Sequence, residues 1–289
     1  MRVTEAKMLE LATDAASAAR DRSAAAQQVA SSNVKVALPS DDLAAWTDGM
    51  RMSARLTASQ ARGKVIGAAQ TDLQLTDDAL SQIGQVLTSA VTLATQMGND
   101  PLYANGPRAI GATQVQTLID QAVAAANSRG TDGSYLLAGS LTTSPPFDPL
   151  GNYVGDNVTR SAEISEGHIA VVSETGSPLT APLDVFATLR SLQTALNAND
   201  STAVRATISN LQDAVSQIGE VRGEVGTRLQ ALNAADDART NFEVRLAAAH
   251  TQDVAADPVQ AMSDLTSTKN ALDAALAVAS QVVSLTQPK

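Results

Sequence analysis

The sequence predicts a mainly α protein: an elongated antiparallel helical bundle or coiled coil, with both termini at one end and a small inserted β-rich lobe. Three observations predict it. Alanine supplies 53 of the 289 residues, whereas Trp, Tyr and Phe together supply seven. Apolar residues recur at seven-residue spacing in three separate segments. One stretch between those segments, residues 131–181, is instead rich in Gly, Pro, Thr and Ser.

Alanine has the best helix propensity and loses no side-chain entropy on folding, so the composition favours helices. Aromatic side chains bring large buried areas to compact cores, and their scarcity disfavours one enzyme-like globule. The length leaves room for one or two domains.

Residues 1–33 read as a helix with a thin apolar stripe of Val3, Met8, Leu11, Ala15, Ala18, Ala25 and Val29. Pro39, Ser40, Asp41 and Asp42 form a helix-start signal, with Ser or Asp as the N-cap. The helix they open runs to Met97. Its second half is a heptad of Leu73, Leu80, Leu87 and Ala94, with Thr76, Ile83, Ala90 and Met97 as the second row. Gly98, Asn99, Asp100 and Pro101 end it, and a third helix is predicted from Pro107 to Arg129 with Gly130 as its stop.

Within residues 131–181, Val158, Arg160, Ala162 and Ile164 alternate with polar residues as a half-buried strand does, and His168–Ser173 makes a second run. Asp148–Gly151 reads as a turn. Helix resumes with Leu183, Phe186, Leu189, Leu192 and Leu196 on one face. A heptad of Leu211, Ile218, Val225 and Leu232 follows, its second row being Ile208, Val215, Arg222 and Leu229. The C-terminal stretch places Leu265, Leu272 and Ala279 in one row and Met262, Lys269, Leu276 and Val283 in the other.

The expected domains are therefore terminal coiled-coil helices at 1–33 and 255–289, a long-helix bundle from 34–130 and 182–254, and an inserted β-hairpin lobe at 131–181. The residues leave two readings of the ends: they pair with each other, or they are frayed tails in an isolated monomer.

Charge divides the chain in the same way. The net charge is −10; residues 1–33 are neutral and 255–289 carry −1, which leaves −9 for the segment between. So acidic a chain repels a phosphate backbone, and no nucleic-acid partner is expected. Apolar runs are too short to span a bilayer, so no membrane insertion is expected. The N-terminus carries Glu5, Lys7 and Glu10 where a signal peptide would be apolar, so a cleaved secretory signal is not expected. A cytoplasmic protein and export by a leaderless machine both fit.

The chain has no cysteine, which removes disulfides, thiolate nucleophiles and Cys-based zinc sites. Its two histidines, His168 and His250, lie far apart, and neither HExxH nor EF-hand spacing occurs, so no metal site is expected. There is no P-loop, no dinucleotide-binding glycine pattern and no Gly-x-Ser-x-Gly elbow. The acidic pairs Asp41–Asp42, Asp77–Asp78 and Asp236–Asp237 are adjacent residues that diverge on a helix, so they read as N-caps and solvated faces. Arg222 reads either as a register-setting polar residue in the seam or, the preferred reading, as a side chain that snorkels to solvent. No catalytic residue and no cofactor is expected; the chain is not read as an enzyme.

Certain motifs carry a family resemblance. The start Met1-Arg2-Val3-Thr4, the Pro39-Ser40-Asp41-Asp42 segment and Gly226-Thr227-Arg228 resemble the flagellin superfamily. The segment Thr131-Asp132-Gly133-Ser134-Tyr135-Leu136-Leu137-Ala138-Gly139, then Pro146-Phe147, then Gly151-Asn152-Tyr153-Val154-Gly155-Asp156, is similar to the flagellar hook-associated proteins of the hook–filament junction, the hook-associated protein 3 type. The chain departs from that pattern at three places. Ser31-Ser32-Asn33-Val34-Lys35 replaces a Ser-Gly-Lys-type turn, Leu43 replaces a Pro, and the C-terminal end lacks the customary Phe or Tyr.

The resemblance implies a structural subunit of the bacterial flagellum, an adaptor joining hook and filament by helix-mediated assembly. It implies partners that are other copies of the chain, neighbouring axial proteins (hook-associated protein and flagellin) and an export chaperone. It implies an extracellular location reached without a cleaved signal peptide. The expected assembly interface is Val3, Met8, Leu11, Val29, Met262, Leu265, Leu272, Leu276 and Val283. A filament flagellin and a cytoplasmic coiled-coil scaffold are the alternatives.

Overall fold

The computed structural model describes residues 2–99 and 106–286, with side chains from 7 to 99 and from 106 to 284. Asp100 and Pro101, part of the expected stop of the second helix, lie outside the described residues, as does the side chain of Val3. The elements in order are α1 (Arg2–Ser32), α2 (Leu43–Met97), α3 (Pro107–Ala126), β1 (Ser161–Ser165), β2 (His168–Val171), α4 (Val185–Asn197), α5 (Ser201–Val254) and α6 (Pro258–Thr286). A short 3₁₀ turn, Ser177–Leu179, precedes α4. The mainly α fold with an inserted hairpin agrees with the class predicted from sequence.

Aspartates start four of these helices. Asp42 accepts the Ala45 N–H at 3.0 Å, Asp184 that of Ala187 at 2.8 Å, Asp200 those of Thr202 and Ala203 at 2.9 and 3.0 Å, and Asp257 that of Val259 at 2.8 Å. Each satisfies an otherwise orphaned donor and places negative charge at the positive end of the helix dipole. Asp41 does not cap; its carboxylate ties down the preceding loop through the Ala37 and Leu38 N–H groups at 3.0 and 2.9 Å. The opposite end of α2 is closed by cations. Arg108, only 2% exposed, donates to the Met97 carbonyl at 2.9 Å and to Asn199 Oδ1 at 2.8 Å, and Arg205 donates to the Gly98 carbonyl at 2.6 Å.

The chain divides into two compact units, residues 1–58 with 242–289, and residues 59–241. Both long helices contribute to both units.

In the second unit α2 and α5 run antiparallel, joined by Gln70 to Asn233 at 2.8 Å towards one end and Arg205 to Gly98 at the other. The α2 rows follow the predicted heptad: Leu73, Leu80, Leu87 and Ala94 are buried, as are Thr76, Ile83 and Ala90. In α5 the row Leu211, Ile218, Val225 and Leu232 is buried as predicted, but the second buried row is Thr207, Ala214 and Val221. Of the predicted second row, Ile208, Val215 and Leu229 are half-buried and pack against the core from the flank, and Arg222 is exposed. Helices α3 and α4 pack on each other and on this seam, with Val115, Ile119, Ala122, Leu189, Leu192 and Leu196 inward. The third helix ends at Ala126, three residues earlier than expected, where Asn127 turns to donate to and accept from Phe147 at 3.0 Å.

The lobe contains one two-stranded antiparallel sheet, with Ser161 opposite Val171 and Glu163 opposite Ile169. The predicted first strand is shorter than expected: Val158 and Arg160 precede it. Phe147 packs between Tyr153 and Phe186, with ring centroids 5.3 and 5.1 Å away, so three of the few aromatics form one cluster. Gly139 (φ +70°) and Gly151 (φ +78°) take left-handed turns at which a Cβ would strike Asp156 and Phe186 respectively.

In the first unit α1 packs on α6. Val34 and Ala255 form an antiparallel bridge, with Lys35 N–H to Val254 O and Ala256 N–H to Asn33 O both at 2.9 Å. The C-terminal end of α1 thus meets the N-terminal end of α6, so the two helices lie antiparallel. Nearby, Gly49 of α2 lies against Val254 and His250 of α5.

Leu87→Ala removes a fully buried side chain from the seam and should lower stability by about 2–5 kcal/mol. Leu11→Ala, at an exposed position, should change it by less than about 0.5 kcal/mol. Chemical denaturation checks both; equal effects would contradict the burial assignment.

Candidate assembly surface

The burial pattern of α1 identifies the face it turns to α6. Leu9, Ala12, Ala16, Ala19, Ser23, Ala26 and Ala30 are buried or half-buried and recur at three- and four-residue steps. On α6 the matching face is Ala261, Leu265, Thr268, Leu272, Ala275, Ala279 and Val282. Small side chains dominate α1's contribution, which permits close approach of the two helices.

This face differs from the predicted stripe. Met8 is 57% and Leu11 60% exposed, and Ala15, Ala18 and Ala25 are exposed with them. Val29 is half-buried. On α6, Leu265 and Leu272 turn inward, whereas Met262 is 56% exposed and Leu276 and Val283 are also exposed. The predicted stripe of α1 lies one position before this face, whose contacts come mainly from Ala and Ser.

The leftover rows lie on different sides of the pair. Met8, Ala15, Arg22 and Val29 each precede a buried position of α1 by one residue. Met262, Lys269, Leu276 and Val283 each follow a buried position of α6 by one residue. In an antiparallel pair those offsets place the rows on opposite flanks of the seam. Val278 joins the α1 flank and Val259, 79% exposed, the α6 flank. Leu38, Leu43, Met50, Phe242 and Val244 are further exposed apolar residues of this unit. Scattered apolar residues on a surface are ordinary, but rows at heptad spacing on both flanks of a thin helix pair are not.

In the second unit, ion pairs link separate elements. Arg222 donates to both carboxylate oxygens of Asp77, at 2.8 and 3.1 Å, linking α5 to α2. The bond holds the guanidinium proton more firmly than usual. Arg222 thus reaches the flank, as the preferred reading had it, and finds a partner there; Asp77, expected to be merely solvated, is that partner. Three further pairs fasten the lobe to the long helices: Arg62 to Glu163 at 3.2 Å, Arg160 to Asp72 at 3.5 Å, and Arg228 to the buried Glu174 at 2.6 Å. Burial raises the Asp72 carboxyl above its ordinary range; Arg160 opposes the rise and Asp132 adds to it. No sequence pattern marked these pairs, because their members stand far apart in the chain.

His168 is exposed and His250 half-buried, at separate places in the fold. Among the described residues no group of three or more His, Asp or Glu is placed to hold a metal ion, and no helix is long and apolar enough to cross a membrane. Three concavities are grooves along helix pairs, and another lies between α2 and the hairpin against Lys64, Asp72 and Arg160. One, of about 490 Å³, is lined by Ser89, Thr92, Leu93, Gln96, Gln114, Thr117 and Leu118, without a charged group.

The Asp156 carboxylate accepts from the Ser140 hydroxyl, from the Ser140 N–H at 2.6 Å and from the Val158 N–H at 3.3 Å. These bonds, those from Ser140 foremost, hold its pKa below the ordinary carboxylate range. A group depressed in this way adds stability above its unfolded pKa and loses it as pH falls through the folded one. Asp156→Asn should therefore lower the unfolding temperature at neutral pH, and the gap to the parent should close on acidification through the carboxylate range. A gap independent of pH would refute the assignment.

No family model matches the chain. Flagellar hook-associated protein 3 of Salmonella typhimurium is 25% identical over 236 residues, covering 71% of this chain and 73% of the relative. The protein of the same name from Escherichia coli is 27% identical over the same extent. Among solved structures, flagellar hook associated protein-3 of Legionella pneumophila superposes with a TM-score of 0.62 at 15% identity, over 70% of this chain and 98% of that one. FlgL of Xanthomonas campestris gives 0.61 at 18% identity, over 69% and 99%. The chain thus shares its fold with these flagellar proteins and resembles curated hook-associated proteins along most of its length.

Proposed function

We propose that this chain is a structural subunit of the bacterial flagellum, an adaptor at the junction of hook and filament. It works by mechanical coupling and performs no chemistry. The observation that carries the reading is the helix pair α1–α6, which leaves Met8 and Leu11 exposed on one flank and Met262, Leu276 and Val283 on the other. The sequence relatives, both named flagellar hook-associated protein 3, supply the setting.

The two flanks differ in composition and lie on opposite sides, so two copies that meet through them form a heterologous contact. Such contacts propagate from copy to copy and close into a ring or continue as a helix. A tubular zone built this way has each copy completing its neighbour's burial. The interface residues are Met8, Leu11 and Val29 on one flank and Met262, Leu276 and Val283 on the other, together with Val3 of the same N-terminal helix. Leu265 and Leu272 act within each copy by holding α1 and α6 together. The axial neighbours, hook-associated protein and flagellin, dock on the same terminal helices, and an export chaperone shields them beforehand. Export proceeds without a cleaved signal peptide to the extracellular flagellum. A chain without disulfides suits passage as unfolded polypeptide.

In a strain lacking this chain, filaments should fail to remain anchored to hooks, as electron microscopy of sheared preparations would record. Full, anchored filaments would sink the proposal. Immuno-gold label should mark the filament base; label along the whole filament would instead identify a filament flagellin, and recovery from cytosol alone a scaffold protein. Removing residues 1–33 or 255–289 should abolish assembly while circular dichroism still reports the helices of residues 59–241.

A further inference from the structure

We infer that Met8 and Met262 form an oxidation-sensitive pair of sites through which peroxide disables assembly. The inference rests on the assembly reading above and adds a modification that reading does not contain.

Each flank carries one methionine at its row position, and both side chains are more than half exposed in the free chain, at 57% and 56%. Met50, also in the first unit, is equally open at 56%. Met97, in the second unit, is half-buried and packs against the core beside Gly111. The chain has no cysteine, so no thiol competes for the oxidant.

Hydrogen peroxide is the co-reactant. The thioether sulfur attacks one peroxide oxygen, the O–O bond breaks, an S–O bond forms, and water leaves with the second oxygen. Sulfur is oxidised by two electrons and peroxide is reduced to water. The product is a polar sulfoxide where the flank was apolar. In the free chain the new oxygen faces water and costs little. In an assembled flank it has to be buried against a neighbour's apolar row without a hydrogen-bond partner, which weakens each contact. One methionine on each flank means that oxidation weakens the contacts to both neighbours of a copy.

Two experiments on the full chain test this. Peptide mass mapping during peroxide treatment of the purified protein should show Met8, Met50 and Met262 gaining oxygen before Met97; uptake at Met97 as fast as at the others would overturn the exposure argument. In cells lacking the native chain, the Met8→Gln/Met262→Gln variant, which mimics the polar sulfoxide, should reduce anchored filaments by about tenfold or more. Met8→Leu/Met262→Leu should anchor them normally and keep doing so after peroxide exposure. Circular dichroism of both variants should match the parent, since the substituted side chains face solvent in the monomer. Normal anchoring by the Gln variant would overturn the proposal alone, as would equal loss in the Leu variant, which would mean that any change there is harmful. Anchored filaments in cells with no chain at all would instead remove the assembly reading, and this proposal with it.

Discussion

The antiparallel seam between α2 and α5 is the constraint on which the second unit depends. Leu73, Leu80, Leu87 and Ala94 of one helix meet a matched row of Leu211, Ile218, Val225 and Leu232 from the other, all at 1% exposure or less. Everything else in that unit is fastened to this rod. Helices α3 and α4 lie on it, the aromatic cluster of Phe147, Tyr153 and Phe186 plugs the base of the lobe, and arginine–carboxylate pairs hold the hairpin down. The ends of the helices are finished electrostatically, with aspartates at N-termini and two arginines at the C-terminus of α2.

The first unit follows a different economy of burial. On the α1 side its helix pair is joined mainly through alanine and serine, which bury little area each, while Met8, Leu11, Val259 and Met262 stay in solvent. A monomer stabilised for its own sake would do the reverse. The arrangement makes sense when the larger side chains are reserved for neighbours, and the net charge distribution agrees. Near-neutral ends can crowd together, whereas the −9 carried between them favours a solvated position.

Much of this was legible in the chain itself. The heptads of α2 and of one α5 row, the cap at the start of α2, the hairpin lobe and the Asp148 turn all rest on short-range rules, and the structure places them close to where those rules do. The most buried second row of α5 and the α6-facing side of α1 depart from the predicted rows for a shared reason. Two adjacent heptad rows can each be apolar, and choosing between them by side-chain size assumes that the largest residues face inward within the monomer. Ala12, Ala16, Ser23 and Ala214 show the opposite.

By itself the sequence determined the helical class, the number and order of the long helices, the site of the insertion and the lack of familiar catalytic motifs. Those follow from propensity, periodicity and punctuation, all of which act within a few residues. Only the tertiary structure decided which face of α1 and which second row of α5 are most buried, that Arg222 meets Asp77, that Arg108 closes α2, and that Met8 and Met262 are left open. These depend on the rotation of one helix against another, and that rotation is set by which small side chains allow the closest approach, a property of the pair that neither segment carries alone.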